Sequence, residues 1–321
     1  VRTPEENRDA LYENLYALTG SSAYASLAYR ATLTPIASLG HGDTASSASG
    51  TLGALVALRY LAPFRLDGVD AQLAASHPDL QASLAHDAAL SARRREVDGH
   101  YTEAWRGERA RMLWHVVSRN ESDSVVDRAR RAPIGRVYVD LESGISLDPR
   151  PNPARTGPTG RTVFGRDDAS NSLAGGSGAD LLFGGRLSDT LDGGSGNDHL
   201  EGGRGDDVVR GATGADRVIG GEGADQLFGD DSDDRLWGGD GADVVDGGAG
   251  DDHLDGGLAA DQLRGGVGYD AYTVRTGEGK DTIVDTDGRG SRGPVADNGN
   301  DAGRAQNRRV EIFLREPAPQ G

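Results

Sequence analysis

Eleven aspartates recur at intervals of nine residues: Asp180, Asp189, Asp198, Asp207, Asp216, Asp225, Asp234, Asp243, Asp252, Asp261 and Asp270. Each is sixth in a unit that opens with glycine, and glycine also fills most second and fourth positions, as in GGSGADLLF at 175–183. Glycine at positions one, two and four is expected to let the backbone take positive φ and turn tightly. Turned backbone presents carbonyl oxygens on one side, and the aspartate that ends the turn adds a carboxylate. Oxygen donors without histidine or cysteine suit a hard cation with six to eight ligands, calcium ahead of magnesium. The candidate ligands are the eleven aspartates together with turn carbonyls, represented by the opening glycines Gly175, Gly184, Gly193, Gly202, Gly211, Gly220, Gly238, Gly247, Gly256 and Gly265.

These ligands need a scaffold that repeats with the same period. Position eight is Leu or Val in ten units and Tyr272 in the eleventh, so x-Leu-x reads as a minimal strand with one inward side chain. Two units then form one coil of a solenoid whose coils stack by parallel pairing. A degenerate unit, 166–174, precedes the array with Asn171 in the aspartate slot. Residues 175–273 hold 22 acids and 6 arginines, a net of −16, against −17 for the whole chain. One small inward side chain per nine residues does not offset the entropy of ordering them, and crowded carboxylates oppose compaction. The block is therefore expected to stay expanded without cations and to fold when they bind. A flexible acidic linker, the plainest alternative, needs no aspartate held at one phase through eleven units.

Tandem GGxGxDxLx resembles the nonapeptide of the RTX, or haemolysin-type, calcium-binding family. The resemblance covers 166–273 and implies a parallel β-roll with calcium between same-side turns, two repeats apart. Asp180 would then pair with Asp198, Asp189 with Asp207 and so on, giving at most about nine shared calcium sites. The unit 229–237 departs from the pattern at Asp230 and Ser232, so its sites are expected to be the weakest. The segment 269–291 looks like the cap of such rolls, with Tyr272, Val274, Ile283 and Val284 covering the last coil. The resemblance also implies secretion, with type I secretion machinery as a partner and an extracellular location.

The rest of the chain reads differently. Residues 1 to about 120 carry helical spacing: a capping box at Thr3-Pro4-Glu5-Glu6, a short apolar helix at 52–61, a helical stretch from Pro78, and a helix over 101–118. That last helix buries Trp105, Met112, Leu113, Val116 and Val117. Alternation over 136–141 followed by 145–147 predicts a hairpin turning at Ser143-Gly144. Residues 148–161 hold four prolines and read as a linker. The expected organisation is α+β multidomain: a mainly helical region with a short terminal hairpin at 1–147, the linker 148–161, a parallel β-roll with its cap at 162–291, and a polar tail at 292–321.

Composition excludes several functions. With 51 acids against 34 bases, the chain has the wrong sign for a general nucleic-acid or anionic-membrane binder. Zero cysteines exclude a disulfide scaffold and thiolate chemistry. No HExxH or GxSxG is present. His41 and Asp43 lie near Ser46, Ser47 and Ser49, but sequence adjacency is not triad geometry. His77 and His86 read as surface or capping histidines, and His199 and His253, at position seven, as outward-facing. No catalytic residue is assigned. The reading is a secreted calcium-binding protein or a C-terminal piece of one. The alternatives are an exoenzyme or cytolysin with its active part upstream, and a surface adhesin or structural protein.

Overall fold

The computed structural model describes residues 32–35, 52–59, 64–67, 74–75, 77–78, 81–82, 101–118, 136–147, 160–275, 279–284 and 311–315. The chain divides into two compact units, Val1–Ala92 with Tyr101–Arg155, and Arg93–His100 with Thr156–Gly321.

In the first unit, strand β1 (Thr32–Pro35) pairs antiparallel with β2 (Phe64–Asp67). Helix α1 is Leu52–Arg59 and helix α2 is Glu103–Ser118. The mainly helical expectation for this region is thus modified: its described part holds these two helices, short helical pieces at 74–75, 78 and 81–82, and a strand pair that the helical spacing does not predict. Both strands are four-residue segments bordered by proline, too short to show alternation. The capping box at Thr3 lies outside the described residues. Thr102 begins α2 by accepting the Trp105 N–H on its Oγ1 at 3.0 Å. The helix buries Trp105, Met112 and Leu113 as its spacing predicts, while the Val116 and Val117 side chains lie outside the described ones.

The predicted hairpin is present, as β3 (Val137–Asp140) and β4 (Ile145–Leu147) with Gly144 at φ 68° in the turn. Asp140 Oδ1 accepts the Glu142 N–H in the turn and pairs with Arg109 at 2.9 Å, both side chains being almost fully buried. Arg109 also donates to the carbonyls of Leu58 and Arg59, which closes the end of α1. Tyr138 donates to Glu108 at 3.0 Å, and burial, followed by the Glu108 charge, pushes its phenol well above the ordinary range. These bonds give the buried Arg109, Asp140 and Tyr138 side chains partners within the first unit.

The second unit is a parallel β-roll. Its strands are β5 (Arg161–Phe164), β6 (Ser172–Ser177), β7 (Leu181–Gly185), β8 (Thr190–Ser195), β9 (His199–Arg204), β10 (Val208–Thr213), β11 (Arg217–Glu222), β12 (Gln226–Asp231), β13 (Arg235–Asp240), β14 (Val244–Ala249), β15 (His253–Leu258), β16 (Gln262–Val267), β17 (Ala271–Arg275), β18 (Thr282–Ile283) and β19 (Glu311–Arg315). The even-numbered strands from β6 to β18 form one sheet, and the odd-numbered ones from β5 to β19 run in order through the other. Residues 18 apart pair in parallel, so two nonapeptides make one coil. The strands are longer than the three residues expected. Most run from position seven through position three of the next unit, because position nine and then positions two and three still pair with the neighbouring coil.

Position eight points inward from both sheets. Leu191, Val209, Leu227, Val245 and Leu263 face Leu182, Leu200, Val218, Leu236, Leu254 and Tyr272 in a core whose members are at most 1% exposed. Position nine faces the other way, and the two sheets differ there. On the second sheet Phe183, Glu201, Ile219, Trp237, Asp255 and Thr273 are buried, whereas on the first Ala174, Asp192, Arg210 and Arg264 are exposed. Phe183 stacks on Phe164 at 5.2 Å, and Arg217 lies over the Trp237 ring at 4.4 Å. His199 and His253, at position seven, reach Glu201 and Thr273 rather than the turns.

Candidate metal centre

All eleven position-six aspartates are buried, none more than 3% exposed. Each spends one oxygen on a neighbouring coil. The backbone N–H of Asp180 donates to Asp198 Oδ1 at 2.7 Å, and the same bond joins Asp189 to Asp207, Asp198 to Asp216, Asp207 to Asp225, Asp216 to Asp234, Asp225 to Asp243, Asp234 to Asp252, Asp243 to Asp261 and Asp252 to Asp270. The partners are the same-side turns, 18 residues apart. The other oxygen is left over: in Asp189, Asp207, Asp216, Asp225, Asp234, Asp243, Asp252 and Asp261, Oδ2 is buried and accepts no hydrogen bond. A buried acceptor without a partner is costly, and a buried anion more so.

The protonation balance records that cost. Burial, opposed by the backbone N–H bond, pushes Asp189 up to about 6, Asp216, Asp225, Asp252 and Asp261 to about 7, Asp234 and Asp243 to about 8, and Asp207 to about 9. In Asp207, Asp234, Asp243 and Asp252 the same-side neighbours in the ladder add their like charge to the rise. The carboxylates form two same-side columns, Asp180 to Asp270 and Asp189 to Asp261, and buried columns of this kind are stable at neutral pH only with protons or cations.

Asn171 shows what the turn is shaped to hold. Its amide nitrogen, with two hydrogens to donate, lies within hydrogen-bond distance of Arg166 O at 2.9 Å, Ala169 O at 3.0 Å, Gly184 O at 3.2 Å and Asp189 Oδ1 at 2.9 Å. These are the carbonyls of positions one and four of its own unit, the position-one carbonyl of the next coil, and that coil's aspartate. A tethered donor thus sits among four oxygens drawn from two coils. The repeats that follow place an aspartate in that slot, so the same oxygens gain a carboxylate and lose the donor. The cage combines carbonyls with at most two carboxylates, and accordingly no group of three His, Cys, Asp or Glu side chains gathers among the described residues. Hard oxygen donors of mixed charge fit calcium.

The glycines divide into two roles, which corrects the single role expected of them. Position two has positive φ in all eleven units, including Ala212 at 78° and Asp230 at 73°. Position four has it in ten, including Ser232 at 88° and Ala259 at 76°, Leu187 being the exception. Position one does not have it. There glycine is required for space: a Cβ on Gly193 would lie 2.4 Å from Asp198 Oδ2 and 2.8 Å from Gly211 O, and one on Gly220 would lie 2.3 Å from Asp225 Oδ2 and 2.5 Å from Gly238 O. The place a methyl would fill is bordered by the leftover carboxylate oxygen and the next coil's carbonyl.

The ladder runs unbroken through 229–237. Asp234 keeps both its bonds, at 2.7 and 2.8 Å, and Asp230 holds Arg210 in an ion pair across the coil. A second ladder, not read from sequence, follows position five. Asn197, Asp206, Asp233 and Asp251 each accept the N–H of the residue 18 further on, at 2.8 to 3.1 Å. Its signal was the recurrent Asp, Asn or Ser before the aspartate. The roll also continues past 273: Tyr272 is an inward core residue, and Ile283 pairs beside Leu263 in a further strand instead of lying over a finished end. Val284 is 49% exposed.

Among the described residues no helix is long and apolar enough to cross a membrane. No curated protein and no solved structure matches the chain. The family model described as RTX calcium-binding nonapeptide repeat matches in four copies, at 167–198, 183–218, 210–245 and 237–271. With the period, the coil and the oxygen cage in agreement, residues 167–271 of this chain are an array of RTX calcium-binding nonapeptide repeats.

Proposed function

We propose that the roll is a calcium-triggered folding module of a protein that works outside the cell. The supporting observation is the set of eight buried aspartates, Asp189, Asp207, Asp216, Asp225, Asp234, Asp243, Asp252 and Asp261, whose second oxygen accepts no hydrogen bond. The ions would lie between same-side turns, held by the position-six carboxylates and by turn carbonyls that include those of the position-one glycines. At the low free calcium of a cytoplasm the carboxylates repel one another and the module stays unfolded, a state compatible with passage through a type I secretion channel. At millimolar calcium outside, ligation replaces repulsion and binding energy becomes folding energy.

The test is a calcium titration of the full chain followed by far-UV circular dichroism, with magnesium as the control. A cooperative gain of strand signal with calcium alone is expected. An unchanged spectrum at millimolar calcium would overturn the proposal.

A further inference from the structure

The nine-residue period ends at 273, and the family match ends at 271, yet the fold takes one more turn. Thr282 and Ile283 pair in parallel with Gln262 and Leu263. The Thr282 N–H donates to Asp261 O at 2.7 Å, as the Gln262 N–H donates to Asp243 O at 2.8 Å one coil earlier. Gly279 has φ 156° two residues before Asp281, a positive φ like those of most position-four residues two before their aspartates. Asp281 therefore occupies the aspartate slot of a unit displaced by two inserted residues, 20 beyond Asp261 instead of 18.

The carboxylate behaves as the slot requires. Asp281 Oδ1 accepts the Asp261 N–H at 3.3 Å, which continues the ladder. The Asp261 side chain is 1% exposed, its Oδ2 accepts no hydrogen bond, and its carboxyl interacts directly with that of Asp281. Two carboxylates in contact, one of them buried with an oxygen to spare, are held together only by a proton or a cation between them. Lys280 beside them is exposed.

We propose that Asp261 and Asp281 hold one further divalent hard cation of the calcium type, beyond those of the matched repeats, and that it fastens the last coil across the insertion. The inference rests on the reading of the other turns as calcium sites. It adds that the roll's last metal site uses a residue outside the repeat array.

The test uses the full chain and the D281N variant. Bound calcium per chain is measured by equilibrium dialysis with elemental analysis, and hydrogen exchange is followed over 279–284. The expected result is one calcium fewer in D281N, with faster exchange over 279–284 in calcium and the strand signal of the remaining roll retained. Equal stoichiometry in the two proteins would overturn the site while leaving the repeat sites standing. Loss of the entire strand signal in D281N with calcium would overturn it too, since Asp281 would then support the whole roll instead of one ion. A wild-type chain that binds no calcium would overturn the proposed function itself.

Discussion

Replacing Asp225 by asparagine should move the metal-free and calcium-loaded roll in opposite directions. Asp225 is buried in the middle of its column, accepts the Asp207 N–H at 2.8 Å on Oδ1, and leaves Oδ2 without a partner. Burial lifts its carboxyl from 3.8 to about 7. At pH 8 that shift opposes the metal-free fold by on the order of 4 kcal/mol. Asparagine removes the charge, keeps the Oδ1 acceptor, and puts a donor where Oδ2 was. Asn171 shows that such a donor finds carbonyls of both coils within 3.2 Å. The substitution also removes one of the charges that raise Asp207. On the proposed function, the same change deletes a carboxylate ligand when calcium is present. D225N should therefore show more strand signal than wild type in chelator at pH 8, and bind at least one calcium fewer per chain when saturated. Circular dichroism and equilibrium dialysis read the two effects separately. A metal-free strand signal equal to or below wild type, or an unchanged calcium count, would refute the reasoning, because an aspartate with a purely structural role has nothing to gain from losing its charge.

Asn171→Asp is the reverse experiment: it should raise the bound calcium by one ion per chain, read by the same dialysis. Gly193→Ala should weaken calcium binding and destabilise the roll by about 1–3 kcal/mol through overpacking, since its Cβ would fall 2.4 Å from Asp198 Oδ2. Gly176→Ala has positive φ but nothing within 4 Å of the added Cβ, so it should cost about 1–2 kcal/mol and leave the calcium count unchanged. The pH dependence should invert with calcium. The folded metal-free aspartates are raised to between about 6 and about 9, above their unfolded values near 4. The metal-free fold then holds protons that the unfolded chain has released, and its stability falls as pH rises from about 4 through about 9. Acidification from pH 8 to pH 5 should increase the strand signal in chelator. In calcium, protons compete with the ion for the same oxygens, and acidification should release it.

The features legible in the sequence are those that each nonapeptide states for itself. Glycines at two and four announce the turn, Leu or Val at eight announces the inward side chain, and aspartate at six announces the carboxylate that the turn buries. The resemblance to RTX repeats put Asp180 next to Asp198 across same-side turns, and a backbone N–H to carboxylate bond joins them. The direction of that bond did not follow from the resemblance: it depends on which coil's N–H the carboxylate meets, and that is set by the stagger of the coils. The reason for glycine at position one was hidden for the same cause, since the atoms that exclude a Cβ on Gly193 include Gly211 O of the next coil. Asp281 was missed because two inserted residues broke the period, although glycine, aspartate and isoleucine at 279, 281 and 283 keep the internal spacing of a repeat. In the first unit the Arg109–Asp140 pair links α2 to the hairpin turn over 31 positions of chain, and nothing local to either residue marks it.

The chain carries two answers to one packing problem. A coil that stacks on its neighbour leaves a ring of carbonyl oxygens at each turn, and some positive group must enter it. At Asn171 the group is an amide N–H₂ covalently attached to the chain, so that turn is complete without any ion. At the aspartates it must come from solution. The two solutions differ by one atom, nitrogen against oxygen at the end of the same short side chain, and on the proposed function that atom decides whether folding depends on the surroundings. An array of asparagines would close every turn in any medium. On the proposed function, eleven aspartates in the same slots make closure conditional on a dissolved cation. In eight of them the second oxygen is buried and accepts no hydrogen bond, and the proposed function assigns that oxygen to the metal.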